Sequence, residues 1–160
     1  MNNENKLPDG FSNPIAHPSR TKEQSEWQQR NRDWWESNPM RYDWRYPISA
    51  PEFSREFYQE IDRRHFHDAA HYTPPRERPF DELIPFERLP EWDVLEIGVG
   101  NGSHAQLMAP HCRSYTGIDL TDYAVQSTRR RFELFGISGS IQQMDAEKME
   151  FPDASFDFIW

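Results

Sequence analysis

The stretch Val94-Leu95-Glu96-Ile97-Gly98-Val99-Gly100-Asn101-Gly102 constrains the fold more than any other part of the chain. A short apolar run leads into three glycines at alternate positions, and three of the chain's seven glycines fall within these five residues. Glycine in ordered backbone costs conformational entropy, so such clustering implies a tight turn or a main chain that a ligand must approach closely. A strand that ends in a loop of this kind and passes into a helix belongs to an open α/β sheet, where ligands bind beyond the carboxyl ends of the strands.

The residues after this loop repeat the pattern. The sequence predicts a short helix over 103–111 and a second strand over Tyr115-Thr116-Gly117-Ile118 ending at Asp119. Thr121 is placed to cap the next helix, with Ala124, Thr128, Phe132 and Phe135 on one face and Gly136 closing it. A third strand over 140–144 ends at Asp145, and an apolar fourth occupies 156–160. Strands alternating with helices imply a parallel sheet.

The residues before it differ in composition. Eleven of thirteen prolines precede residue 91, while six of seven glycines follow residue 97. Residues 1–20, rich in Asn, Pro and Ser and without period, are expected to form a mobile tail. Residues 21–89 are expected to form a helical cap, and residues 90–160 the α/β domain. Within the cap, one helix is expected over 21–37, with Trp27, Trp34 and Trp35 on one face and Asn38-Pro39 as its stop. A second is expected over about 51–72. Ser49 and Glu52 would form its capping box, Phe53, Phe57 and Ile61 its apolar stripe, and Thr73-Pro74-Pro75 its end.

Charge and cysteine content narrow the function classes. Residues 1–80 carry 12 Lys/Arg against 13 Asp/Glu, whereas residues 81–160 carry 6 against 14. An acidic α/β half disfavours binding nucleic acid through its phosphates. No apolar run approaches the ~20 residues that span a bilayer, and the amino terminus lacks the pattern of a signal peptide. Cys112 stands alone, so a cytoplasmic protein without an internal disulfide is expected.

Three candidate ligand positions fall at strand ends: the glycine loop, Asp119 and Asp145. Asp119 lies 21 residues beyond Gly98, near the offset of ~20 at which a carboxylate meets ribose hydroxyls in dinucleotide folds. The dinucleotide fingerprint would need a third glycine at position 103, where the chain has Ser103. Glu96, two residues before the first glycine, is an awkward neighbour for a pyrophosphate but suits a ligand carrying an ammonium and a sulfonium. Both features favour S-adenosylmethionine.

With these residues in view, the chain from about Trp92 to Trp160 resembles the first half of a class I S-adenosylmethionine-dependent methyltransferase. The resemblance is to the widespread type that includes quinone-biosynthesis C-methyltransferases. It rests on the 94–102 stretch, on Gly117-Ile118-Asp119-Leu120, on Met144-Asp145-Ala146-Glu147, and on Phe151-Pro152-Asp153-Ala154-Ser155-Phe156-Asp157 before the fourth strand. It implies a Rossmann-like sheet, of which about four parallel strands are present, and methyl transfer to a small-molecule acceptor. It also implies that Gly98, Gly100, Asn101 and Gly102 lie against the cofactor's methionine part, with Glu96 orienting its amine end. Asp119 would bind the ribose diol with Leu120 against the adenine, and Asp145 would accept from the adenine amino group beside Ala146. The family's sheet has seven strands, so the chain is expected to be a piece of a longer protein, poorly folded or weakly binding by itself. Another Rossmann-type nucleotide enzyme and an inactive scaffold that keeps the fold are the alternatives.

Other residues invite second readings. His67 and His71 stand i, i+4 on a helix without a third ligand at a recognisable spacing, so no metal site is expected. His65, His67, His71 and Tyr72 could instead lie over an acceptor as a base or lid. Arg129-Arg130-Arg131 is expected on a solvated helix face, and Trp27, Trp34, Trp35 and Trp44 in cap packing.

Overall fold

A computed structural model describes residues 22–160; the tail expected over 1–20 lies outside the described residues. Four parallel strands form one sheet: β1 (Asp93–Ile97), β2 (Ser114–Asp119), β3 (Ser140–Gln143) and β4 (Phe158–Ile159), in the order β3-β2-β1-β4. The chain steps outward from β1 to β2 to β3 and then returns to the other side of β1. This reversal brings the carboxyl end of β1 to a topological switch point, where open α/β sheets bind ligands. Val94, Leu95 and Glu96 are all buried, as expected for a central parallel strand covered on both faces. Ile97 and Ile159, on one face near the carboxyl edge, remain 38% and 58% exposed.

Two helices follow the strands, α3 (Ser103–Met108) and α4 (Asp122–Phe135). α4 forms as the sequence predicts. The Thr121 side chain accepts from the Ala124 N–H at the amino end, and Gly136, at φ +66°, turns the backbone out at the carboxyl end. Phe132 and Val125 from this helix meet Val94, Tyr115, Ile141, Met108 and Leu89 in the main core. Ile84 belongs to the same core, so the turns leading into β1 pack with the sheet.

Before the sheet stand α1 (Lys22–Ser37) and α2 (Arg55–Ala69). α2 begins later than the sequence predicts. Its cap is Ser54, whose hydroxyl accepts from Phe57 N at 3.1 Å, and not Ser49. The reason is tertiary. Glu52, the expected partner in the capping box, accepts instead from Arg41 Nη1 at 3.1 Å and from the Tyr123 hydroxyl at 2.8 Å. Phe53 sits at φ +62° with its ring against Phe57 and Tyr123, which breaks the helical run before Arg55. Phe57, Tyr58 and Ile61 do form the predicted stripe, buried against Leu134 and Phe135 of α4.

Two other expectations are corrected. Trp27, Trp34 and Trp44 do not pack the cap; they are more than half exposed. α1 instead turns Gln24, Gln28 and Arg32 inward as half-buried residues, so much of its contact with the rest of the chain is polar, while Trp35 faces the cavity described below. Arg129-Arg130-Arg131 is not one solvated face. Arg130 pairs with Glu133 at the surface and Arg129 donates to the Ile141 carbonyl, but Arg131 is fully buried. Its Nη1 reaches both oxygens of Asp62 on α2, at 2.9 and 3.0 Å, and its guanidinium lies over the Tyr58 ring. Buried against α2 and α3, the Arg131 charge takes a carboxylate and an aromatic face as partners.

Candidate functional site

A cavity of about 400 Å³ opens at the carboxyl edge of β1 and β2, within the size range of small-ligand sites. Its floor is Gly98, Gly100 and Asn101 from the loop after β1. Asp119, Leu120 and Thr121 come from the end of β2, Met144 and Ala146 from the end of β3, and Ile97 and Ile118 add apolar surface. A second concavity of similar volume, around Asp81, Phe86 and His111, adjoins the turn that precedes β2 and so lies away from the carboxyl ends of the strands.

The glycine loop is built for close approach. Gly98 and Gly100 have φ of +81° and +53°, which few other residues adopt, and a Cβ at either would meet nothing within 4 Å. The space over them is open to a ligand. Gly102 serves a different end: it caps α3, and a Cβ there would press on Thr128 at 3.0 Å. Asn101 braces the loop, with Nδ2 donating to the Met40 carbonyl at 2.8 Å and Oδ1 accepting from Ser127 Oγ at 2.6 Å.

Asp119 ties the two loops together. Its Oδ2 accepts from Gly100 N at 3.1 Å, and its Oδ1 accepts from Thr121 N and Oγ1 at 2.9 and 2.8 Å. An ionised carboxylate offers about four acceptor positions. Three are engaged, which leaves one on Oδ2 for a hydroxyl in the cavity.

Of the nine residues proposed from sequence, Gly98, Gly100, Asn101, Asp119, Leu120 and Ala146 line the cavity together. Gly102, Glu96 and Asp145 are not among the lining residues. Asp145 stands beside Ala146, where its Oδ1 accepts from Glu147 N and from Gln28 Nε2, each at 3.0 Å. Glu96 faces the helices. It is 2% exposed, and its Oε2 accepts from the Tyr115 hydroxyl at 2.5 Å. Burial pushes its carboxyl up to about 8, against the lowering effect of the tyrosine bond, so the group is protonated near neutral pH. His104 Nδ1 lies 4.0 Å from Glu96 Oε1. Burial and then His65 push this imidazole down to about 4. With both groups neutral, the contact is not an ion pair.

The histidines of α2 separate. His65 joins His104, with Nε2 atoms 3.2 Å apart, in an aromatic cluster with Tyr42, Phe80 and Trp160. His67 and His71 meet edge to face, and His67 is largely exposed. Among the described residues no group of three or more His, Cys, Asp or Glu is close enough to hold a metal ion.

The sequence did not point to the outer wall. Gln28, Asn31 and Trp35 of α1, then Pro39 and Met40, close the cavity from about 60 to 120 residues upstream of the loops they face. Glu36 anchors that wall: its carboxylate accepts from the Asp122 and Tyr123 N–H groups at 2.9 and 3.0 Å, in the first turn of α4. A capping search confined to neighbours in sequence would miss a cap supplied from 86 residues away.

A family model described as a methyltransferase domain matches residues 94–160. The fatty-acid O-methyltransferase of Mycolicibacterium smegmatis is 38% identical over 68 residues, which are 41% of this chain and 24% of that protein. The phosphatidylethanolamine N-methyltransferase of Cereibacter sphaeroides is 37% identical over 68 residues, covering 41% of this chain and 33% of that one. The chain thus spans a quarter to a third of the length of these relatives. Among solved structures, the YcgJ protein from Bacillus subtilis is 35% identical, with a TM-score of 0.41 over 42% of this chain and 30% of that one. Residues 94–160, with their parallel sheet and glycine loop, are thus similar to the methyltransferase domain and to part of these methyltransferases.

Proposed function

We propose that the chain carries the cofactor-binding part of an enzyme that transfers a methyl group from S-adenosylmethionine to a small-molecule acceptor. The observation that carries this reading is the cavity itself. A carboxylate with a spare acceptor position, open backbone over two left-handed glycines and an apolar wall converge at one sheet edge.

The residues present fit the cofactor. Asp119 Oδ2 would accept from the ribose, while Ile97, Ile118, Leu120, Met144 and Ala146 supply flat apolar surface for the adenine. Asp145, one residue from Ala146, is the acceptor nearest that wall for the adenine amino group. The backbone of Gly98, Gly100 and Asn101 would face the methionine part. When bound, the cofactor supplies an electrophilic methyl group on sulfur. The chain's part is to orient it and to exclude water, since alignment of the reacting groups lowers the barrier to such a displacement. Glu96 would act on the amine end only through the loop, because it faces Tyr115 and His104.

Titration calorimetry with S-adenosylhomocysteine tests this. A hydrogen bond to a charged group contributes about 1.5–3 kcal/mol, so Asp119→Ala should weaken binding at least about tenfold. Asp119→Asn keeps one acceptor oxygen but turns its amide N–H toward a donor of the loop, so it too should weaken binding. Unchanged affinity in Asp119→Ala would refute the assignment.

A further inference from the structure

α1 lies outside the part of the chain that matches the methyltransferase family, yet it forms the outer wall of the cavity through Gln28, Asn31 and Trp35. It is held there by polar contacts. No described residue of α1 is fully buried, and Trp27 and Trp34 point to solvent. A helix docked without an apolar core beneath it opens at low cost, because water replaces the contacts it loses. Two of its anchors fall on either side of the cavity. At one, Gln28 Nε2 donates to Asp145 Oδ1 at 3.0 Å. At the other, the Glu36 carboxylate accepts from Asp122 N and Tyr123 N, where the positive end of the α4 dipole favours it.

The first anchor conflicts with the ligand's needs. A primary amide and the exocyclic amino group of adenine are both planar N–H donors, and Gln28 Nε2 and Glu147 N together fill the two acceptor positions of Asp145 Oδ1, so an adenine amino group on that oxygen would replace Gln28. We propose that α1 is a lid over the cofactor cavity whose Gln28 side chain competes with the adenine amino group for Asp145, while Glu36 keeps the lid attached to α4. The proposal rests on the S-adenosylmethionine reading above. Binding then exchanges one N–H donor on Asp145 for another and loosens the amino-terminal half of α1, whereas its carboxyl-terminal half stays in place. Gln28 sets affinity by what the ligand must displace, and it is not itself a ligand contact.

The test uses the whole 160-residue chain, with S-adenosylhomocysteine as probe, calorimetry for affinity and amide hydrogen exchange for the lid. Gln28→Met keeps length, helix propensity and apolar reach but removes the donor. It should bind the probe about threefold to tenfold more tightly than wild type, as expected for release from one competing hydrogen bond. Its amides over 22–30 should also exchange faster than in wild type before the probe is added. Glu36→Ala should speed exchange along all of α1, with and without the probe. Unchanged or weaker binding by Gln28→Met would overturn the lid, because Gln28 would then be a neutral contact or a direct one. If wild type and variants alike fail to bind while circular dichroism and a cooperative melt show them folded, the cofactor reading falls and the competition with it. If all bind alike and exchange alike, the cofactor reading stands and only the lid falls.

Discussion

Replacement of the buried Glu96 by glutamine should change how stability depends on pH, and the structure dictates the sign. Glu96 is pushed up from 4.5 to about 8, chiefly by burial. An acid raised in the fold holds a proton that the unfolded chain has released. Its contribution to stability is therefore complete below pH 4.5 and is lost as pH rises through 8. His104 is pushed down from 6.5 to about 4, again chiefly by burial, and His65 moves in the same direction. A depressed imidazole acts oppositely: its contribution is complete above pH 6.5 and is lost as pH falls through 4. Between 4.5 and 6.5 the slopes of Glu96 and His104 oppose each other. Of Glu96, His104 and His65, Glu96 alone still carries a slope from 6.5 to 8, at about 1.4 kcal/mol per pH unit, so it should remove about 2 kcal/mol of stability across that interval. Glu96→Gln is neutral at every pH and fills nearly the same volume, and its carbonyl can still accept from the Tyr115 hydroxyl. It should be flat from pH 6.5 to 8 and more stable than wild type at the upper end. Urea unfolding followed by circular dichroism at four pH values in that interval measures both curves. A wild-type curve that is flat or rising there, or a variant that falls as steeply as wild type, would refute the assignment of a neutral buried carboxyl.

Other perturbations have equally direct readouts. Arg131→Met leaves Asp62 facing the interface between α2 and α4 without its cation, and chemical unfolding should show a loss of about 3 kcal/mol. Tyr58→Phe removes the bond from its hydroxyl to the Ser127 carbonyl, 2.8 Å long and buried, and should lower unfolding free energy by about 1 kcal/mol. Thr121→Ala deletes both the cap of α4 and one donor to Asp119. It should cost about 1 kcal/mol in thermal unfolding, and a loss within error would show that Glu36 caps the helix without help.

The strand–loop–helix repeat was legible because it is written locally. Apolar runs of strand length, Thr121 and Gly136 at the ends of α4, and glycines where the backbone turns left-handed each act within a few residues. The same holds for Asp119: a carboxylate at a strand end in a parallel sheet has few places to go, and it lines the cavity. Glu96 was harder to place. Its position in the motif says only that it is near the loop, whereas the alternation of side chains along β1 sends it to the face where Tyr115 and His104 stand.

Sequence alone determined the order of strands and helices and the glycine loop at the end of β1, since local periodicity and backbone chirality do not depend on distant residues. Tertiary structure alone decided the rest. It drew Glu52 away from the cap of α2 toward Arg41 and Tyr123, buried Arg131 against Asp62, and laid α1 across the cavity with Glu36 on α4 and Gln28 on Asp145. These are polar partnerships between residues dozens of positions apart. A charged or amide side chain signals only that it needs a partner, and packing determines which partner comes within reach.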